Sequence, residues 1–155
     1  MASPFQAVQG LPNACQLLST VVTGGQPSAA QLAAFKAAGG QVVLDLRDPM
    51  EPRPLDEPTV AQSLGLEYTN VPIDEGSLTD ETLDRILDVL HRSRERQVLV
   101  HCASGNRVGG AILPFLINDE GLEEEDAVGQ AMRVGLRSAE LMEWGLDYAR
   151  RHRAG

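Results

Sequence analysis

The chain has 155 residues, 43% of them hydrophobic, which is enough to bury the core of one domain. Its net charge of −9 disfavours nucleic acid and membrane surfaces as partners, because both are negatively charged. Two cysteines, Cys15 and Cys102, form neither a disulfide framework nor a metal-binding pattern. The sequence therefore predicts a protein of the reducing cytoplasm without metal or cofactor, and it leaves the oligomeric state open. Neither a membrane-spanning stretch nor a signal segment is expected.

The first elements follow from short apolar runs and the residues that end them. Residues 1–17 show no clear period and are expected to form an N-terminal arm, ahead of one domain over residues 18–155. A strand is predicted over 18–23. Ser28 caps a helix that ends before Gly39-Gly40, and 41–46 is a continuous apolar run typical of a buried strand.

The rest of the chain keeps alternating. Helices are predicted over about 58–64, 79–95, 108–118, 124–135 and 138–152, and strands over 67–73 and 97–100. This alternation predicts an α/β fold, with a mostly parallel sheet of four to five strands and helices on both faces. Ligands of such sheets bind beyond the carboxyl ends of the strands, so the polar loop 47–58 should border the site. Arg47 in this loop is a candidate to bind anions, with pairing to Asp48 as the alternative.

The main candidate residues for a reaction lie between the predicted strand 97–100 and the helix that starts at Val108. Cys102 begins a six-residue polar loop that ends at Arg107. Amide groups of such a loop and of the following helix converge on one electropositive point, where a thiol ionises readily. The Arg107 guanidinium can hold two oxygens of a tetrahedral anion. These six residues thus predict a nucleophile in an oxyanion-binding loop, whereas a lone cysteine would more often be core packing.

The run from His101 through Arg107 resembles the phosphate-binding loop of the cysteine-dependent protein tyrosine and dual-specificity phosphatases. Those enzymes place five residues between Cys and Arg and a Ser or Thr next, where this chain has four residues and Val108. The shorter loop is closer to the bacterial beta-lactamase-hydrolase-like phosphatases, to which residues from about 18 to 150 are similar. The resemblance implies a tyrosine phosphatase-like fold, a phosphorylated protein or small molecule as substrate, and contacts to it from the loop: His101, Ala103, Ser104, Gly105, Asn106 and Val108.

Such phosphatases also need an acid to protonate the leaving oxygen. The resemblance implies an Asp after the strand that precedes the catalytic strand, and Asp74 has that position. Glu75 is the alternative acid, and an exposed turn is the alternative role of Asp74. His101 is expected to orient the loop rather than to titrate, and Ser104 could partly replace the hydroxyl that is absent at Val108.

Three functions are open at this point. A phosphatase would use Cys102, Arg107 and Asp74 as nucleophile, clamp and acid. A rhodanese-like sulfurtransferase would carry a persulfide on Cys102, and its active loop has the same six-residue length, but it needs no acid. A binding module for oxyanions or phosphoproteins would keep the loop and lack turnover, as the short loop and Val108 suggest.

Overall fold

A five-stranded, mostly parallel sheet runs through the protein, whose structure, a computed structural model, describes residues 2–153. The strands are β1 (Cys15–Leu18), β2 (Val21–Gly24), β3 (Val42–Asp45), β4 (Glu67–Asn70) and β5 (Val98–His101). Across the sheet their order is β1-β2-β5-β3-β4, with β1 antiparallel and the other pairings parallel. All residues of β3 and β5 are buried, which is typical of parallel strands covered on both faces.

Within residues 2–153, seven α-helices cover the two faces of the sheet. They are α1 (Pro4–Ala7), α2 (Ala29–Ala37), α3 (Glu57–Ser63), α4 (Asp80–Arg92), α5 (Asn106–Pro114), α6 (Glu124–Val134) and α7 (Ala139–Arg151). Side chains of α2 and α3, with Val8 and Leu11 of the N-terminal arm, form one hydrophobic core with β2, β3 and β5. Side chains of α4 to α7 form the other core. The predicted fold class is confirmed.

The first part of the sheet differs from the prediction, because it has two strands where one was expected. The run predicted as a strand over 18–23 contains the last residue of β1, the turn at Ser19-Thr20 and most of β2, so the structure has a hairpin at this point. No Gly or Asn marks this turn, so the sequence carried no hairpin signal there. β1 also crosses the predicted boundary between arm and domain, since Cys15 pairs with Thr23 of β2. Met1 and the last two residues of the predicted domain lie outside the described residues.

Helix α5 packs unusually close to its neighbours. A Cβ on Gly145 of α7 would lie 2.3 Å from the carbonyl oxygen of Gly110, and one on Gly109 would lie 2.6 Å from Leu136 Cβ. These glycines therefore let the helix that follows Cys102 sit directly against α7 and the α6–α7 turn. No helix within residues 2–153 is long and apolar enough to cross a bilayer.

Candidate active site

The loop from Cys102 to Gly105 leaves the central strand β5 and enters α5. Cys102 is 1% exposed, and its Sγ accepts a hydrogen bond from the Gly105 amide at 3.1 Å. Gly105 has a φ of 102°, a conformation that glycine adopts without strain. Five further amides at this turn donate to no acceptor within the described chain: those of Ala103, Ser104, Asn106, Arg107 and Val108. The loop thus keeps a group of free donors at a helix N-terminus, which is the arrangement that binds tetrahedral anions.

The carbonyl groups of this loop are tied to its surroundings. Ala103 O accepts from the Gln26 amide at 3.2 Å, and Ser104 O accepts from Asn13 Nδ2 at 2.7 Å. A Cβ on Gly25 would lie 2.4 Å from Ala103 O, so the loop after β2 approaches as closely as a glycine permits. With the carbonyls held from outside, the peptide N–H groups of the loop are left for a ligand.

Arg107 forms an ion pair that the sequence did not predict. Its Nη1 and Nη2 donate to the two carboxylate oxygens of Glu51, the second at 3.1 Å. Glu51 Oε2 also accepts from Arg47 Nε at 2.9 Å. The hydrogen bond from Arg107 lowers the pKa of Glu51 to about 2, so this carboxylate is charged at neutral pH. Burial alone would lower the pKa of Arg107, but the Glu51 carboxylate and the nearby Cys102 sulfur raise it.

Arg107 and Asp74 line the same open cavity of about 700 Å³. Asp74 is exposed and caps a short 3-10 turn (Glu75–Ser77), with its Oδ1 accepting from the Gly76 amide at 2.9 Å. Its Oδ2 has no hydrogen-bond partner among residues 2–153. Glu75 and Asn106 also line this cavity. The structure therefore brings the expected clamp and both candidate acids to one cavity at the carboxyl edge of the sheet.

His101 lies behind the loop and not in the cavity. It is fully buried, with Nδ1 3.2 Å from Cys102 O and Nε2 2.5 Å from Glu57 Oε2. Glu57 and Asp45, both fully buried, share the Arg53 guanidinium, whose Nη1 is 3.2 Å from Glu57 Oε1. In this position His101 can hold the Cys102 peptide but cannot contact a molecule in the cavity, so its expected contact with substrate is not what the structure shows.

Asp45, Glu57 and His101 offer ligand atoms within 4.8 Å of one another, which is close enough to consider a metal ion. The contact between His101 Nε2 and Glu57 Oε2 is a hydrogen bond of 2.5 Å. Metal bonds of about 2.0–2.2 Å to each atom would hold the two about 3 Å apart. Arg53 already supplies a cation between the two carboxylates. The residues fit a buried ion-pair cluster and do not fit a metal.

The other predicted residues have different places. Arg47 is buried and bonds Glu51, Gln26 and Pro52 O, so it pairs with Glu51 rather than with Asp48 and holds the 47–52 loop. The Val108 side chain is fully buried in the core and can offer a substrate only its amide. Asn106 Oδ1 accepts from the amides of Arg137 and Ser138, which fixes the α6–α7 turn. Cys15 is buried in β1, as expected of a structural cysteine.

Three residues with a part in this site were not singled out from the sequence: Gln26, Glu51 and Glu57. Glu51 lies in the polar loop that was expected to border the site, but a charged loop gave no sign of which side chain would reach Arg107. Glu57 precedes Pro58 at a helix start and has the pattern of a solvated N-terminal acid. A buried partner 44 residues further along the chain leaves no local signal.

Comparison with models of known protein families finds no match, and neither does comparison with curated protein sequences. Solved structures do match. A proposed phosphatase of the DUF442 group from Shewanella putrefaciens CN-32 has a TM-score of 0.82 at 19% identity, covering 97% of this chain and 99% of that one. Tk-PTP in its active form has a TM-score of 0.73 at 26% identity, covering 90% and 98%. TpbA of Pseudomonas aeruginosa, solved with phosphotyrosine, has a TM-score of 0.70 at 18% identity, covering 97% and 86%.

Fold and loop together define a protein tyrosine phosphatase-like domain, built around a cysteine at the carboxyl end of the central strand. The chain belongs to the superfamily of cysteine-dependent tyrosine and dual-specificity phosphatases. The resemblance predicted from the sequence is confirmed at that level.

Proposed function

We propose that the protein is a phosphatase that hydrolyses a phosphate monoester through a phosphocysteine on Cys102. The observation that carries this proposal is the loop itself: the Cys102 thiol accepts a hydrogen bond from the Gly105 amide, and five further amides after Cys102 donate to no other group of the described chain. A phosphoryl group with three outer oxygens matches such a ring of donors. The phosphotyrosine bound to TpbA, which shares the fold, supports a phosphorylated substrate.

In the first step the Cys102 thiolate attacks phosphorus, and the bond from phosphorus to the leaving oxygen breaks. Asp74, as the carboxylic acid, gives its proton to that oxygen. In the second step the Asp74 carboxylate takes a proton from water, the water oxygen attacks phosphorus, and the S–P bond breaks to restore the thiolate. Arg107 and the loop amides hold the three outer oxygens in both transition states. Glu75, on the same cavity, is the alternative source of the proton.

This chemistry requires Cys102 as a thiol, which fits a reducing compartment such as the cytoplasm. The negative net charge supports a substrate other than nucleic acid or a membrane surface.

The test is one preparation assayed with phenyl phosphate and, separately, with thiosulfate plus cyanide. We expect phosphate release that Cys102→Ser abolishes and that Cys15→Ser, the matched control at the other cysteine, retains. A rapid acid quench should trap phosphate on the peptide that contains Cys102.

Sulfurtransferase activity is the second candidate, and the observation in its favour is the spacing of four residues between Cys102 and Arg107. Thiocyanate formation without phosphate release would establish it and reject the phosphatase. Phosphate binding with neither activity would reject both enzymes in favour of a binding module.

A further inference from the structure

A continuous series of hydrogen bonds starts at the arginine end of the loop. Arg107 Nη2 donates to Glu51 Oε2 at 3.1 Å, and the same oxygen accepts from Arg47 Nε at 2.9 Å. Arg47 Nη1 then donates to the side-chain oxygen of Gln26 at 2.9 Å. Three contacts thus lead from the guanidinium in the cavity to the loop after β2.

The series continues from Gln26 to the nucleophile. Gln26 Nε2 donates to Glu57 Oε1 at 2.8 Å, and Glu57 Oε2 bonds His101 Nε2 at 2.5 Å. His101 Nδ1 lies 3.2 Å from Cys102 O and must be the donor, since a carbonyl only accepts. The series therefore closes a ring, because Cys102 and Arg107 are also the two ends of one six-residue loop.

Gln26 is the neutral member in the middle of this ring. On one side it must accept from the guanidinium of Arg47, and on the other it must donate to the carboxylate of Glu57. An amide does both, whereas a carboxylate there would face Glu57 with like charge and an ammonium would have no acceptor for Arg47. The backbone N–H of Gln26 also holds Ala103 O. Gln26 Nε2 also donates to the neighbouring Pro27 O at 2.9 Å. Three longer-range contacts, to Arg47, Glu57 and Ala103, thus connect this one residue to both ends of the loop.

We propose that Gln26 is a positioning residue that sets the orientation of Cys102 and of Arg107 together. Its side chain has no contact with the cavity, so it acts through Arg47 and Glu51 on the arginine and through Glu57 and His101 on the nucleophile. Charge-assisted hydrogen bonds within a largely buried network are strong and mutually reinforcing, which makes the middle member effective at both ends. The catalytic consequence rests on the proposed function, but the geometry does not.

The test replaces Gln26 by Met, which keeps the length of the side chain and removes its hydrogen bonds to Arg47, Glu57 and Pro27 O. Gln62→Met is the matched control, because Gln62 is exposed on α3 and its side chain makes no hydrogen bond within residues 2–153. Two readouts need no turnover: the rate of alkylation of Cys102 by iodoacetamide against pH, followed on its peptide, and the protection of Cys102 by inorganic phosphate. For Gln26→Met we expect slower alkylation at neutral pH and phosphate protection weakened by about tenfold, the size of one or two lost charge-assisted bonds.

A second variant, Gln26→Glu, separates the two ends of the ring. It keeps an acceptor for Arg47 and turns a carboxylate toward Glu57, so phosphate protection should stay within about twofold while the pH profile of alkylation shifts. A residue that only stabilises the fold would change both readouts in proportion. The proposal is overturned if Gln26→Met changes them no more than Gln62→Met does, or if Gln26→Glu changes them in parallel. Absence of phosphatase activity in the parent would reject the proposed function alone, because neither readout depends on hydrolysis.

Discussion

Gly105 carries the sharpest stability prediction, because two separate costs meet at one residue. Its φ of 102° is unfavourable for any residue with a Cβ, and a Cβ there would lie 2.2 Å from the carbonyl oxygen of Val134 at the end of α6. The backbone conformation costs about 1–2 kcal/mol. Displacing a packed backbone group adds about 1–3 kcal/mol. Gly105→Ala should therefore lower the free energy of unfolding by about 2–5 kcal/mol, a large share of a typical 5–15 kcal/mol.

Substitutions at two other glycines separate the cost of the backbone conformation from the cost of the contact with Val134. Gly121 has a φ of 75° with nothing within 4 Å of a Cβ, so Gly121→Ala measures conformation alone, about 1–2 kcal/mol. Gly129 lies in α6 at an ordinary φ in open space, and Gly129→Ala should stabilise the protein by about 0.5–1 kcal/mol.

Guanidinium unfolding, followed by the fluorescence of Trp144, the one tryptophan, gives all three values in one assay. In a domain of this size Gly105→Ala should lower Tm by about 5–15 °C. The contact with Val134 is refuted as the cause if Gly105→Ala costs no more than Gly121→Ala. Equal effects of all three substitutions would refute the conformational argument as well.

Three further predictions concern the site. Asp74→Asn should slow hydrolysis of phenyl phosphate by about 10²–10⁴-fold but that of nitrophenyl phosphate much less, because a good leaving group needs no proton. Equal losses in kcat/KM for the two esters would mean that Asp74 has a structural role, and Glu75→Gln would then be the next variant to test. Arg107→Lys should lose most vanadate affinity in calorimetry, since an ammonium cannot replace a planar fork, and unchanged affinity would contradict the clamp. Glu51 has a folded-state pKa of about 2, below its ordinary value of 4.5, so its ion pairs stabilise above about pH 4.5 and lose that effect as pH falls toward 2. The stability lost in Glu51→Gln, measured by urea unfolding, should thus be constant from pH 5 to 7 and shrink below; a loss that persists at pH 2.5 would contradict the assignment.

The loop around Cys102 could be predicted from the sequence because all its parts are local. Strand, thiol, glycine and arginine follow one another within ten residues, and their order alone implies a helix N-terminus aimed at the thiol. The alternation of elements fixed the α/β class for the same reason. Asp74 could be placed at the same edge of the sheet because parallel strands end together.

The supports of the loop could not be predicted, because they depend on contacts between distant residues. Glu51 and Arg107 are 56 residues apart, and the loop that carries Glu51 has no periodic pattern from which its path follows. The burial of Asp45 and Glu57 could not be predicted for a related reason: acidic side chains are usually solvated, and only the fold brings their partners close. The β1–β2 hairpin was missed because two apolar runs met across an unmarked turn.

The position of β5 in the sheet has a consequence for how the protein comes to be made. β2 pairs with β1 and β3 pairs with β4, but β2 and β3 do not pair with each other, and each meets β5 on its other side. During synthesis β2 and β3 therefore have no shared partner strand until residues 98–101 emerge. The turn after β5 is held in place only when Gly105 packs against the end of α6 and Gly110 packs against α7. The packing that surrounds Cys102 is therefore complete only after the residues of α6 and α7 have been made.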